Sequence, residues 1–293
     1  YITTTLPYVN SDPHIGFGYE VLQADVLARY YRLLGHEVFF NTGTDEHGQK
    51  LAQKADEKGE SRQAYVDHYA NEFKKLGLVL NLSYDNFIRT TDEAHKLAAQ
   101  EIWRRCAEKG DIYKKKYSGL YCVGCEAFKT ESDLVDGKCP DHNTSPELIE
   151  EENYFFKLSN YQEYLEEYLS HEELTLPDWR RLETLNFVKT GLSDLSISRE
   201  KSRLDWGVPV PDDSEQVMYV WFDALTNYIS TLGWPNEAGN FKKFWVDGET
   251  LQLAGKDQMR FQSVIWQAML KSAGIKATDK IVYHGFINSD GQK

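Results

Sequence analysis

Apolar residues recur along this chain at two periods, and the way those periods alternate predicts its elements. Residues 1–6 read as a short apolar strand, and residues 7–13, with Pro7 and Pro13, as a tight loop. Behind the loop, Ala24, Leu27, Ala28, Tyr31 and Leu34 recur at helical spacing. Residues 37–41 form a second strand that runs into Thr42-Gly43-Thr44-Asp45-Glu46-His47-Gly48 and a further helix. A helix over 61–76 stops at Gly77, and another opens on a capping box of Thr90 with Glu93 and ends at Gly110. Across 111–150 the helical period fades, and a segment rich in Lys and Tyr leads into cysteines. Residues 153–158 read as a strand and 161–169 as an acidic helix, while 171–215 is mixed and polar. Order returns with a strand at 251–254, a Gly255-Lys256 turn and Asp257 as a helix N-cap. Phe261, Val264, Ile265, Ala268 and Met269 then hold one helical face, Gly274 closes it, and 280–287 is a buried strand. Strand–helix alternation predicts an α/β fold, a parallel sheet with crossover helices. It comes in two halves, 1–110 and 216–293, around an insertion at 111–215.

Charge narrows the function classes. With 46 acids against 33 bases in 293 residues, the net charge of −13 argues against a broad nucleic-acid-binding face. No apolar run approaches membrane-spanning length and no secretory signal pattern is present, so a cytoplasmic protein without membrane or DNA partners is expected. The first residue is Tyr1 and the last Lys293, from which a fragment trimmed at both ends is expected.

The strongest local signal is Cys122-x2-Cys125 followed, thirteen residues on, by Cys139-x2-His142. Three thiolates and one imidazole on two short turns suit a closed tetrahedral Zn²⁺ site, which is structural because no position stays open. Such a metal folds a segment (122–142) too poor in apolar residues to fold alone. Cys106 reads as a buried apolar residue, and His95 and His171 as surface residues.

His14-Ile15-Gly16 opens the first long helix, whose N-terminus carries unpaired N–H groups suited to phosphate. Gly16 allows close approach of a ligand, and His14 can donate to a phosphate oxygen. Asp45 ends a strand beside the first, so both motifs face the crevice beyond the carboxyl ends of a parallel sheet, where an acid can pair with a ligand ammonium. Trp221, Ala224 or Leu225, and Tyr228 share a helical face if a helix begins near Asp223, and it reads either as core or as the wall around an apolar ligand side chain. Lys256 stands at a strand end, where a cation meets phosphate.

In their order, these motifs resemble the methionyl-tRNA synthetases, a family of class I aminoacyl-tRNA synthetases, along the whole chain. The match runs through Leu6-Pro7-Tyr8-Val9-Asn10, Pro13-His14-Ile15-Gly16, Thr44-Asp45-Glu46-His47-Gly48, the Cys3His knuckle and Glu152-Asn153-Tyr154-Phe155-Phe156. It continues through Ser198-Arg199, Val220-Trp221-Phe222-Asp223-Ala224, Gly255-Lys256-Asp257, His284-Gly285 and Gly291-Gln292-Lys293, the last resembling the entry to a Lys-Met-Ser-Lys-Ser loop. The resemblance implies a Rossmann-like sheet with helices on both faces, interrupted by a zinc-bearing connective peptide and lacking the anticodon-binding domain. It implies ATP-dependent activation of methionine with Mg²⁺ and transfer to tRNA(Met), impaired here by truncation. It places Asp45 on the methionine ammonium, and Leu6, Tyr8, Trp221, Ala224 and Tyr228 around its side chain. His14, Gly16 and Gly255 would serve ATP, with Lys256, Lys293 and Arg199 on its phosphates, Asp257 near the ribose and His284 near the adenosine. Phe17, Gln258 and Gln262 depart from the family's usual His, Ile and His, the two glutamines on the methionine side. The competing expectations are a different amino acid or nucleotidyl substrate on the same ATP site, and a non-catalytic zinc knuckle that binds RNA or protein.

Overall fold

The computed structural model describes residues 1–123 and 127–287. The first third runs β1 (Ile2–Thr3), α1 (Ile15–Leu33), β2 (Phe40–Thr44), α2 (Gln49–Lys58), α3 (Arg62–Val79), β3 (Asn86–Arg89) and α4 (Glu93–Glu108). Next come β4 (Ile112–Cys122), β5 (Ala127–Lys129), β6 (Glu147–Phe156), α5 (Gln162–Tyr168), β7 (Thr175–Leu176) and α6 (Asp178–Lys189). Then follow β8 (Leu195–Ser196), β9 (Ser198–Glu200), β10 (Pro209–Val210), β11 (Asp213–Met218), α7 (Val220–Leu225) and α8 (Asn227–Ser230). The last are β12 (Leu251–Gly255), α9 (Trp266–Ser272) and β13 (Lys280–His284).

Six strands form one sheet in the order β3-β2-β1-β12-β13-β7, every pair parallel. The chain lays β2 and β3 on one side of β1 and returns with β12 and β13 on the other, so strand order reverses between β1 and β12. Ile2 pairs with both Phe40 and Leu251, fixing the register of all three strands. Helices cover both faces, which is why β2 is buried along its whole length. Phe17, Val21, Ala24 and Ala28 of α1 pack with Leu51, Tyr65, Val66 and Phe73 on one face. On the other, Ile102 and Trp103 of α4 meet Phe222, Trp245, Trp266 and Leu270. Appended to this body are an antiparallel sheet, β5-β4-β6-β8, and a small three-stranded one, β10-β11-β9. Within the stretch expected to be an insertion, Thr175–Leu176 is instead the edge strand of the parallel sheet, paired with β13.

Several local expectations shift. The second strand begins at Phe40, three residues later than its apolar run, because its pairing with β1 and β3 sets its start. Gly77 does not stop α3, which runs to Val79; a Cβ there would lie 3.0 Å from the Tyr84 ring, so glycine answers packing and not termination. The capping box does not form: Thr90 Oγ1 accepts the Glu46 N–H at 2.9 Å, and Asp92 takes the N-cap position. Leu34 is exposed just past the end of α1. The strand expected at 153–158 already starts at Glu147 and pairs with β4 throughout. Asp257 lies inside a single 3₁₀ turn, Lys256–Gln258, instead of capping the long helix, and Phe261–Ile265 is wound as a π turn, a form that concentrates at functional sites. His95 is wholly buried, contrary to its reading as a surface residue, while His171 is exposed.

Candidate active site

At the reversal between β1 and β12 the loops leaving the two strands diverge, and a cavity of about 820 Å³ opens there. The exit of β1 supplies Leu6, Pro7 and Tyr8, and the first turns of α1 supply His14, Gly16, Phe17 and Glu20. Asp45 enters from the end of β2, and Trp221, Ala224, Leu225 and Tyr228 from α7 and α8. Gly255, Asp257 and Gln258 close the β12 side with Phe261 and Gln262 of the π turn, and His284 closes the β13 side.

Local backbone pairing explains how distant residues meet. Beyond Thr3 the first strand keeps step with the second: the Asp45 N–H donates to the Pro7 carbonyl at 3.0 Å, and the Val9 N–H to the Asp45 carbonyl at 3.2 Å. Tyr8 and Asp45 are thereby neighbours. His14 is the N-cap of α1, its Nδ1 accepting the Gly16 N–H at 3.1 Å. A Cβ on Gly16 would sit 3.0 Å from that ring, so the glycine makes room for the cap. The positive end of α1 thus faces the cavity. Phe17 turns inward and packs edge-on against Phe73 at 5.0 Å.

The three residues at the end of β2 diverge. Asp45 lines the cavity. Glu46, fully buried, takes two hydrogen bonds from Arg89, Nε at 2.7 Å and Nη2 at 2.8 Å, and one from Thr44 Oγ1 at 2.6 Å. His47 turns to Asp223, Nδ1 to Oδ2 at 3.2 Å. Burial alone would push the Asp223 carboxyl up, but the charge and hydrogen bonds of His47 and His95 outweigh it and hold it below the usual carboxylate range.

Across the cavity, Gln262 Nε2 donates to the Tyr228 hydroxyl. Burial pushes that phenol well above its ordinary range, so it stays protonated. The wall is therefore mostly apolar and aromatic, with the amides of Asn227, Gln258 and Gln262 set into it.

Glu20 is a site residue the sequence reading passed over. One of its oxygens accepts the Thr5 N–H at 2.7 Å and the Thr5 hydroxyl at 2.6 Å; the other meets His284 Nε2 at 2.9 Å. The signal was present, since Glu20 falls on the inward stripe Phe17, Val21, Ala24, Ala28.

Other expected residues lie elsewhere. Arg199, on β9, is buried with its guanidinium 4.0 Å from the Tyr219 ring, and its Nη1 donates to Ser196 Oγ and the Ser198 carbonyl. It is not among the residues that line the cavity. Lys256 stands outside the lining as well, its ammonium 4.5 Å from the ring of Phe286, which does line it. Lys293 and Cys125 lie outside the described residues.

Of the expected metal ligands, Cys122, Cys139 and His142 place their donor atoms within 4.8 Å of one another. Cys139 Sγ is 3.8 Å from His142 Nδ1. Tetrahedral bonds of zinc length put donors about 3.5–3.8 Å apart, so a modest contraction brings this group round one metal ion. Among the described residues, no helix is long and apolar enough to cross a membrane.

Comparison with known proteins gives one answer. A methionine–tRNA ligase from Fusobacterium nucleatum is 45% identical over 295 residues, covering all of this chain and 46% of its own length. One from Nostoc sp. is 47% identical over 299 residues, covering all of this chain and 56% of its own. The crystal structure of Mycobacterium tuberculosis methionyl-tRNA synthetase bound by methionyl-adenylate superposes with a TM-score of 0.93 at 44% identity, over 98% of this chain and 57% of that one. The apo form of that enzyme gives 0.83 at 41% identity, over 98% of this chain and 56% of that one. The chain therefore spans about half the length of the relatives it matches. The family model for class I tRNA synthetases of type M matches residues 1–145 and 133–293, and with relatives this similar along its entire length the chain belongs to that family.

Proposed function

We propose that this chain carries the methionine-activating site of a methionine–tRNA ligase, working in the cytoplasm on methionine, ATP and, in the whole protein, tRNA(Met). The observation that carries this reading is a single cavity holding an acid, an aromatic wall and a helix N-terminus: Asp45, then Trp221, Ala224 and Tyr228, then His14 and Gly16. A zwitterionic amino acid with an apolar, polarisable side chain satisfies the first two, and a nucleotide phosphate the third. In the reaction, a methionine carboxylate oxygen attacks the α-phosphorus of ATP; an O–P bond forms, the bond to the bridging oxygen breaks, and pyrophosphate leaves with the electron pair. The nucleophile is already an anion, so the site needs no general base. Its task is to align the reactants in-line and to oppose the charge that builds on the phosphates.

Asp45 holds the ammonium, and Leu6, Tyr8, Trp221, Ala224, Tyr228, Gln258 and Gln262 shape the side-chain pocket. The start of α1 receives the phosphates, with Lys256 reaching them from just outside the lining, Gly255 and Asp257 meet the nucleotide, Asp257 at the ribose, and Glu20 holds His284 on the nucleoside side. Mg²⁺ arriving with ATP would add charge neutralisation on the leaving pyrophosphate. Cys122, Cys139 and His142, with Cys125 as the expected fourth ligand, would hold a structural Zn²⁺. We keep the reading of 1–110 and 216–293 as two halves of one catalytic domain around a connective segment.

Calorimetry and ATP–pyrophosphate exchange with methionine test this assignment. A charge-assisted hydrogen bond contributes about 1.5–3 kcal/mol, so Asp45→Ala should weaken methionine binding by about tenfold to a hundredfold. No methionine-dependent signal in the wild-type chain, or full binding in the variant, overturns it.

A further inference from the structure

Asp223 lies between two residues of the pocket wall, Trp221 and Ala224, yet is completely buried and does not line the cavity. Helix geometry accounts for this: at 100° per residue, Asp223 points away from the face that Trp221 and Ala224 share. Its carboxylate instead meets two histidines from different elements. His47 Nδ1 lies 3.2 Å from Oδ2, and His95 Nε2 lies 3.5 Å from Oδ1. His47 is two residues beyond Asp45. His95 stands on α4, and its Nδ1 is 2.9 Å from Ser230 Oγ on α8. One carboxylate thus joins the exit of β2, helix α4 and the two short helices behind the pocket.

Such a buried group is weak as a source of stability, because an apolar side chain of similar volume often serves equally well. What it supplies is directional: it fixes the height and rotation of α7 against the strand end. α7 has only six residues and its N-cap makes no side-chain hydrogen bond, so its own backbone specifies its placement weakly. Asp45 and the α7 wall must contact opposite ends of one small ligand, and a shift of about 1 Å in such a pair costs on the order of a hundredfold in rate.

Resting on the methionine-activating function proposed for this site, we propose that His47, Asp223 and His95 are positioning residues that lock the pocket helix to the strand end carrying Asp45. The lock governs the amino-acid half of the cavity and leaves the nucleotide half alone, since the side-chain hydrogen bonds and ion pairs of its members run to one another and to Ser230 on α8, not to α1, β12 or β13.

Asp223→Asn keeps shape and removes charge. The expected result is a methionine Kd and KM raised by about tenfold or more, with the ATP KM within about twofold of wild type and kcat changed less than the methionine KM. A merely structural role predicts a smaller active fraction, with both KM values unmoved. That pattern, or equal weakening of both substrates, overturns the proposal. A second pair covers the case in which Asp223→Asn fails to fold. His95→Gln keeps a donor near the Nε2 position and should restore most of the methionine affinity that His95→Leu loses; equal affinity in the two variants overturns the lock. A wild-type chain that binds no methionine sinks the assigned function. Wild-type binding with unchanged variants sinks only the positioning role.

Discussion

At the scale of single residues, the site depends on places where a side chain is missing as much as on those present. Gly43 lies in β2 opposite Ile88 of β3, and a Cβ there would fall 1.9 Å from the Ile88 carbonyl oxygen. Gly43→Ala must therefore push the two strands apart just before Asp45. The expected loss is about 1–3 kcal/mol or more, read as a lower urea midpoint with an unchanged slope; an unmoved midpoint would show that the strands re-pair without strain. His284 offers a pH test. Burial works against its protonated form, but hydrogen bonds with Glu20 and the Gly285 carbonyl outweigh that and raise it above the ordinary 6.5. A group raised on folding adds stability that is fully present below its unfolded value and is lost as pH rises through the raised one. The wild-type minus Glu20→Gln difference in melting temperature should accordingly shrink from about pH 6 to pH 8, and a difference that grows over that interval would refute the pairing. Asp45 was legible because its motif stands at a strand end. Glu20 was not, because an acid in a helix reads as solvated until its neighbours at i−3 and i+4, Phe17 and Ala24, are seen to face the core.

At the scale of elements, periodicity gave helices and strands their type, and pairing gave them their ends. The second strand begins at Phe40, whose N–H also meets the Asp85 carboxylate at 2.8 Å, a contact no local pattern announces. His95 shows the converse. Its spacing with Ala98, Ala99 and Ile102 already traced the inward stripe of α4, but its polarity argued for the surface. The polar group is tolerated inside because Ser230 Oγ meets its Nδ1 at 2.9 Å and the Asp223 carboxylate lies 3.5 Å from its Nε2. The outer face of α1 reverses expectation in another way, leaving Ile15, Tyr19, Leu22, Val26, Tyr30 and Leu33 exposed. Because Val26 and Leu33 are 63% and 86% exposed, lysine at both positions should move the melting temperature by no more than about 2 °C. Lysine at Val21, wholly buried on the opposite stripe, should prevent stable folding. A large loss from the double surface variant would show that this face is already packed in solution.

At the scale of the whole molecule, the parallel sheet is a non-local object. β1 pairs with β2 on one side and on the other with β12, a strand from the far end of the chain. No window of periodicity contains that pairing, so alternation could predict a parallel sheet but not where its order reverses; the order of motifs supplied the missing step. β7 escaped both routes, being two residues long and set in a polar stretch. The same architecture separates the consequences of metal loss. Cys122 ends β4 of the antiparallel sheet and Cys139 and His142 stand in the loop before β6, whereas that sheet joins the apolar core beside the parallel sheet at its other end, through Ile112 and Phe156. A metal at the cysteine group would therefore stabilise the appended sheet and contribute little to the cavity between β1 and β12. Chelation should speed amide exchange across 120–145 by tenfold or more while β1, β2 and β12 keep their protection, because local opening costs less than global unfolding. Methionine binding should survive the treatment, since no residue of the cysteine group lines the cavity. Loss of protection in the parallel sheet on the same timescale would instead make the two sheets one cooperative unit, with the metal holding the active site together from a distance.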